Sequence, residues 1–345
     1  MELKEFMYEL PQSLIAPYPS EDRAKARLMV IERKTGKISH SEFASLGNFL
    51  VPGDLLVIND SKVLPVRLRG KKESGGRVEV LLLEAFPEGS DCWIALVEAA
   101  KRPRVGNRFF FPEGVNAEVI GVMGRGRYGL RFHHQGGFME VLSKVGEPPL
   151  PPYIMRNRDP ASLDRERYQT VYASCPGSIA APTAGFHFTE DLLEEMKERG
   201  VDNVVLTLHV GPATFRPVRV ETVERHRMEG ERYILGESAA AEIDRAKSGG
   251  RRVIAVGSTT TRTLEGIAQR KGRVKADHGI TRLFIRPGYA FRVINGLITN
   301  FHLPGSTPLI LVAAFAGLDL VRRAYREAVR LRYRFYSYGD AMLVL

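Results

Sequence analysis

Residues 251–270 read RRVIAVGSTTTRTLEGIAQR. An apolar run ends in a Gly-Ser-Thr turn, and the stretch behind the turn reads as a helix. The same order recurs nearby. NVVLTLHVG (203–211) is nearly all apolar and reads as a strand buried on both faces, as strands of parallel sheets are. VINGLITN (293–300) reads as a third strand and is followed by FHLPGSTPLILVAAFAG (301–317). The apolar run Leu309–Gly317 is too short to span a bilayer and reads as a buried helix. Upstream, Thr189 can cap a helix over Glu190–Arg199. Glu190 and Asp191 suit its positive end, Gly200 its stop, and Leu192, Leu193 and Met196 its apolar face. A last helix is expected over about 319–332, and YSYGDAMLVL (336–345) closes the chain as turn and strand. Strands alternating with helices imply an α/β domain.

The beginning of the chain fits the same domain. Leu28–Ile31 is a strand candidate before a turn at Lys34–Lys37, a short helix carries Phe43, Leu46, Phe49 and Leu50, and Leu55–Ile58 is a buried strand. Between Val63 and Gln135 the pattern changes. Short strand-like runs (PVRLRGKK, GRVEVLLLEA, CWIALVEAA, NRFFF, AEVIGVM, RYGLRFHH) alternate with turns (ESGG, FPEGSD, RPRVGN, GRGRYG), and no helical period is sustained. Such spacing predicts a small antiparallel barrel. FMEVLSKVG then reads as a short helix and EPPLPPY (147–153) as a stiff connector. The expected architecture is an α/β domain over 1–61 and 151–345 with an inserted small antiparallel β-barrel domain over 62–150.

Composition narrows the function. The 345 residues carry 50 Lys+Arg against 40 Asp+Glu, a net charge of +10, which favours a polyanionic partner such as nucleic acid. Cys92 and Cys175 lie far apart without a CxxC, so neither a disulfide framework nor a structural zinc site is expected, which suits a reducing cytosol. The first five residues lead into no apolar signal segment. There is no P-loop, no GxSxG elbow and no HExxH. GRGRYG (124–129) contains GxGxxG but lies in the barrel-like stretch and reads as a turn.

Four junctions of the α/β half carry hydroxyls: 181–189, 208–215, 257–261 and 299–307. Three of them also carry a histidine, His187, His209 and His302. Loops at the carboxyl ends of such strands converge on ligands, and hydroxyls and free N–H groups at helix entrances suit carboxylates and phosphates. Each histidine has a structural alternative as a packed ring, and each Thr or Ser as a helix cap.

The motifs ELPQSLIAPYP, GDLLVIND, KRPRVG, DRERYQTVYA, GSIAAPTAGFHFT, LTLHVGPATFRPV, RVIAVGSTTTRTLE, LITNFHLPGST and YRFYSYGDAM are long and unusual. Through them the chain resembles, nearly end to end, the S-adenosylmethionine:tRNA ribosyltransferase-isomerase family of queuosine biosynthesis. Two stretches depart from the family pattern. NDSKVLPVRL places Asp60 and Lys62 where other polar residues are usual, and HRMEGE keeps His226 but lacks a second histidine after it.

The resemblance implies an α/β domain with a smaller β-barrel, no metal, and no bound cofactor. It implies S-adenosylmethionine as ribosyl donor. The acceptor would be tRNA carrying 7-aminomethyl-7-deazaguanine at the wobble position. A base takes a proton from the carbon beside the sulfonium, adenine leaves, and the RNA amine attacks the anomeric carbon. Ring collapse then expels methionine and leaves epoxyqueuosine. A cytoplasmic, monomeric enzyme with no membrane contact is expected. Candidates for proton transfer are His187, His209 and His302, with Asp340 to orient or share a proton. Candidates for substrate binding are Pro182, Thr183, Ala184, Gly185, Gly211, Thr214, Ser258, Thr259 and Thr260. Candidates for RNA binding are Arg102, Arg156, Tyr168, Gln169 and Arg216. The rival classes are a non-catalytic tRNA-binding protein and an ordinary RNA methyltransferase.

Overall fold

A computed structural model of the chain describes residues 1–86, 91–124, 126–151, 154, 161–211 and 218–345. They fall into two compact units. One comprises Met1–Lys62, Pro151–Asn157 and Arg167–Leu345, the other Val63–Leu150 and Arg158–Glu166. The strands in chain order begin with β1 (Arg27–Glu32), β2 (Lys37–Glu42), β3 (Leu55–Asn59) and β4 (Ser61–Val63). Next come β5 (Arg67–Lys72), β6 (Arg77–Ala85), β7 (Cys92–Ala99), β8 (Arg108–Phe110), β9 (Asn116–Gly124) and β10 (Arg127–His133). The last seven are β11 (Cys175–Ser178), β12 (Asp202–Leu208), β13 (Glu231–Leu235), β14 (Val253–Val256), β15 (Asp277–Thr281), β16 (Gly296–Asn300) and β17 (Ala341–Val344). The helices are α1 (Phe138–Val145), α2 (Ala161–Arg167), α3 (Glu190–Glu198), α4 (Glu237–Ser248), α5 (Gly257–Lys271), α6 (Thr307–Ala316) and α7 (Leu318–Arg330).

The larger unit holds a nine-stranded sheet in the order β15-β13-β12-β3-β14-β16-β17-β1-β2. Its centre, β12-β3-β14-β16, is parallel. β17 runs antiparallel to β16 and parallel to β1, and β13, β15 and β2 add antiparallel margins. The central runs are apolar because both faces are covered. Leu55, Val57, Val253, Ala255 and Leu297 join one apolar cluster, and Leu56, Ile58, Ile254, Val256 and Ile298 the other. Strand β12 differs from its expectation. Only Leu206–Leu208 are buried, and Asp202, Asn203 and Val205 are exposed, because β13 reaches β12 only at Thr207 and Leu208.

Other differences have local causes. Residues 43–48 form a 3-10 helix. Strand β16 begins at Gly296 rather than Val293, because the preceding amides go to a side chain. Glu265 of α5, fully buried, accepts from the backbone N–H of Arg292 (2.8 Å), Val293 (2.9 Å) and Ile294 (3.1 Å). Helix α7 stops at Arg330 and Leu331, since Arg332 takes a left-handed φ of 55°. The cap on α3 is as expected: the Leu192 N–H donates to Thr189 Oγ1 at 3.1 Å.

Helix α5 lies deep against β3, β14 and β16. Its threonines tolerate burial because each hydroxyl donates one turn back: Thr260 to Val256 O (2.8 Å), Thr261 to Gly257 O (3.1 Å) and Thr263 to Thr259 O (3.0 Å). The smaller unit is a closed antiparallel barrel, β10-β7-β6-β5-β8-β9. Val78, Val80, Leu82, Ala95, Phe109, Ala117, Val119, Leu130 and Phe132 fill it from alternate positions.

Glu265 ties α5 to the turn that delivers β16. Glu265→Ala leaves two buried amides and one partly buried amide without an acceptor and should cost about 3–5 kcal/mol. Urea unfolding at constant m checks this, and a loss below about 1 kcal/mol contradicts it.

Candidate active site

The parallel strands end on one edge of the sheet, where ligands bind in α/β folds. A cavity of about 350 Å³ opens there, lined by Ala180–Ala184, Gly257–Thr259, Thr299, Asn300, His302–Pro304 and Ser306–Pro308, with Tyr168, Val210, Tyr336 and Ser337. Three of the four hydroxyl-bearing junctions therefore meet. The fourth contributes Val210 among its described residues, and Thr214 and Arg216 lie outside the described residues, as does Arg156. A larger cavity of about 750 Å³ lies between residues 5–9 and helices α6 and α7. It is lined by apolar and charged side chains, and none of its lining residues belongs to a strand.

The entrance of α5 lines the smaller cavity. Gly257 turns directly out of β14 with φ of 90°, a left-handed conformation that favours glycine. Val256 precedes the helix and no side chain caps it, so the first-turn N–H groups lack an intrahelical acceptor and face the positive end of the dipole. Helix α6 differs, because Ser306 caps it by accepting from the Leu309 N–H.

Asn300, at the end of β16, is 2% exposed. Its Nδ2 donates to Tyr336 O at 3.1 Å and lies 3.2 Å from His187 Nε2. Among the described residues its Oδ1 is buried without a hydrogen-bond partner. A buried acceptor left open beside a cavity is expensive in an empty site and useful in a filled one. Beside it, Thr299 Oγ1 lies 2.9 Å from His302 Nε2.

The histidines separate by position. His302 lines the cavity, and burial pushes its pKa down to about 3. His187 is 4% exposed and sits outside the cavity lining, with its ring 5.1 Å from Phe43. Burial, against the Asp340 charge and helped by Arg334 and Arg23, pushes it down to about 4. Its ring is packed, which is the structural alternative that the sequence left open for it. His209 is half-buried, its Nδ1 3.0 Å from Ser61 Oγ, which lies 2.6 Å from Ser178 Oγ. Burial and Arg232 lower its pKa against the pull of Asp60. Asp340 is consumed by its neighbours: it pairs with Arg27 at 3.1 Å and accepts from the Arg334 N–H at 2.7 Å.

Of the residues expected to bind substrate, Pro182, Thr183, Ala184, Ser258 and Thr259 line the cavity. Gly185, Gly211 and Thr260 do not. Gly185 packs on Tyr172, the Gly211 N–H donates to Glu231 at 3.1 Å, and the Thr260 hydroxyl is spent on Val256. Of the residues expected to bind RNA, Arg102 is exposed, Gln169 is half-buried, and Tyr168 is buried in the cavity wall against Phe186. Asn300, Thr307, Tyr336 and Ser337 were not singled out, although LITNFHLPGST and YRFYSYGDAM contain them. Among the described residues no group of three or more His, Cys, Asp and Glu could hold a metal ion, and no helix is long and apolar enough to cross a membrane.

A profile of the queuosine biosynthesis protein family matches residues 3–344. The S-adenosylmethionine:tRNA ribosyltransferase-isomerase of Clostridioides difficile is 49% identical over 346 residues, covering all of both chains. That of Geobacter metallireducens is 51% identical over 344 residues, again covering all of both. A solved S-adenosylmethionine tRNA ribosyltransferase from Thermotoga maritima is 36% identical, with a TM-score of 0.55, covering 99% of this chain and 100% of that one.

The two buried histidines make stability depend on pH. Their folded pKa values, about 4 for His187 and about 3 for His302, lie below the unfolded value near 6.5. The unfolded chain therefore binds more protons below pH 6.5, and stability falls as pH drops through that window. His302→Gln should flatten the dependence between about pH 4.5 and 6 by about 1.4 kcal/mol per pH unit, measured by urea unfolding. An unchanged slope contradicts the burial of a neutral ring.

Proposed function

The chain belongs to the queuosine biosynthesis protein family, whose members transfer and isomerise the ribosyl moiety of S-adenosylmethionine, and we propose that it does so in the cavity at the ends of β14 and β16. The observation that carries this reading is the pairing of an uncapped α5 entrance with the open Asn300 Oδ1. S-adenosylmethionine matches both. Its α-carboxylate fits the N–H groups of Ser258 and Thr259, as anions fit helix entrances. Its ammonium or adenine amino group can donate to Asn300 Oδ1. Pro182, Thr183 and Ala184 then face the bound nucleoside.

His187 acts here as a positioning residue. Neutral at pH 7, its Nε2 can accept from Asn300 Nδ2 and so fixes the orientation of the Asn300 amide, whose residue lines the cavity. Asp340 fixes the turn that carries Tyr336 and Ser337 to the site. His302, the one candidate histidine in the cavity lining, is assigned the proton beside the sulfonium in this reading. Proton removal turns the sulfonium into a net-neutral ylide and His302 into an imidazolium, so the net charge of the cavity is unchanged. Burial disfavours that imidazolium in the empty site, and the carbanion formed beside it is what offsets the cost. His209 receives no step. Departing adenine needs a proton, and the attacking RNA amine must be neutral. The acceptor is tRNA carrying 7-aminomethyl-7-deazaguanine, which places the reaction in the cytoplasm. The protein acts as a monomer in this reading.

With that tRNA and S-adenosylmethionine, the protein should release adenine and methionine. S-adenosylhomocysteine as product would overturn the reading in favour of a methyltransferase. Asn300→Ala should lower kcat/KM for S-adenosylmethionine by at least about tenfold, the scale of one buried hydrogen bond. A KM and kcat matching the unaltered protein would remove Asn300 from the site.

A further inference from the structure

The barrel carries a feature that its core does not require. Strand register aligns Arg77, Lys71, Phe110 and Asn116 as successive partners across β6, β5, β8 and β9. Val78, Phe109 and Ala117, the alternate positions, are buried, so this row faces out. Phe110 is 45% exposed, while Phe109 and Phe111 beside it fill the interior. Lys71, Arg77 and Arg108 are exposed.

Charge pairing sets this row apart from its neighbours. On β5, Arg67 holds Glu79 at 2.7 Å and Arg69 reaches Glu147 at 3.4 Å. Among the described residues Lys71, Arg77 and Arg108 have no carboxylate partner within 4.0 Å. An open phenyl face among unneutralised cations is the combination that binds single-stranded nucleic acid. The ring stacks a base and the cations take phosphates. Arg77 to Phe110 spans two strand spacings, about 10 Å.

We propose that this outer row of the barrel binds a single-stranded segment of the tRNA substrate. A base stacks on Phe110, and its flanking phosphates meet Lys71, Arg77 and Arg108. The proposal rests on the reading that tRNA is the acceptor.

The test uses the full chain and tRNA carrying 7-aminomethyl-7-deazaguanine, with binding followed by fluorescence anisotropy and turnover by adenine release. Phe110→Ala should weaken tRNA binding about tenfold, and Phe110→Tyr, which keeps the ring, should restore it. Lys71→Ala with Arg77→Ala should reduce the salt dependence of binding by about two units of log K per log salt. Affinity for S-adenosylmethionine and turnover at saturating tRNA should stay unchanged. If Phe110→Ala and the double variant bind tRNA within twofold of the unaltered protein while that protein releases adenine, the surface is overturned and the function stands. If the unaltered protein binds tRNA through Phe110 yet releases no adenine, the surface stands and the assigned function falls.

Discussion

Burial of the sheet on both faces governs the rest of this protein. Apolar clusters cover each side of β3, β14 and β16, so the cavity that polar groups line in the larger unit lies where strands stop. Four parallel strands stop on one edge, and the hydroxyls, open amides and Asn300 collect there. The depth of α5 follows from the same constraint. A helix packed against three central strands can carry three buried threonines only because each hydroxyl bonds to the turn behind it.

The site is held by neutral groups. His187 and His302 are both kept uncharged by burial, and their hydrogen bonds, not their charges, set the geometry. His187 fixes the Asn300 amide, and Asn300 also anchors the Tyr336 carbonyl. Of the formal charges nearby, Asp340 pairs with Arg27 and Arg334, and Arg23 donates to the Phe186 carbonyl. A cavity of this kind leaves a cationic substrate as the principal charge inside it, which suits chemistry that begins at a sulfonium.

Much of the fold was legible because its signals are local. The apolar run before Gly257, the Thr189 cap and the short barrel strands each follow from residues next to one another. What stayed hidden depends on partners far along the chain. Glu265 captures amides of residues 292–294 and delays β16, which no period in VINGLITN reveals. Thr260 sits in a hydroxyl-rich junction, yet helix geometry turns its side chain back on Val256. His187 and His302 look equivalent in sequence. Phe43, 144 residues before His187 in the chain, packs on one and not the other. Asn300 was passed over because an asparagine at a strand end has many ordinary uses. Only the unfilled Oδ1 distinguishes it.

The most direct test is a crystal structure of the protein with S-adenosylmethionine bound. The account predicts difference density in the cavity, with the carboxylate within hydrogen-bond distance of the Ser258 and Thr259 amides and a ligand donor on Asn300 Oδ1. Density instead in the larger cavity beside residues 5–9, or a bound ligand that leaves Asn300 Oδ1 without a partner, would contradict it.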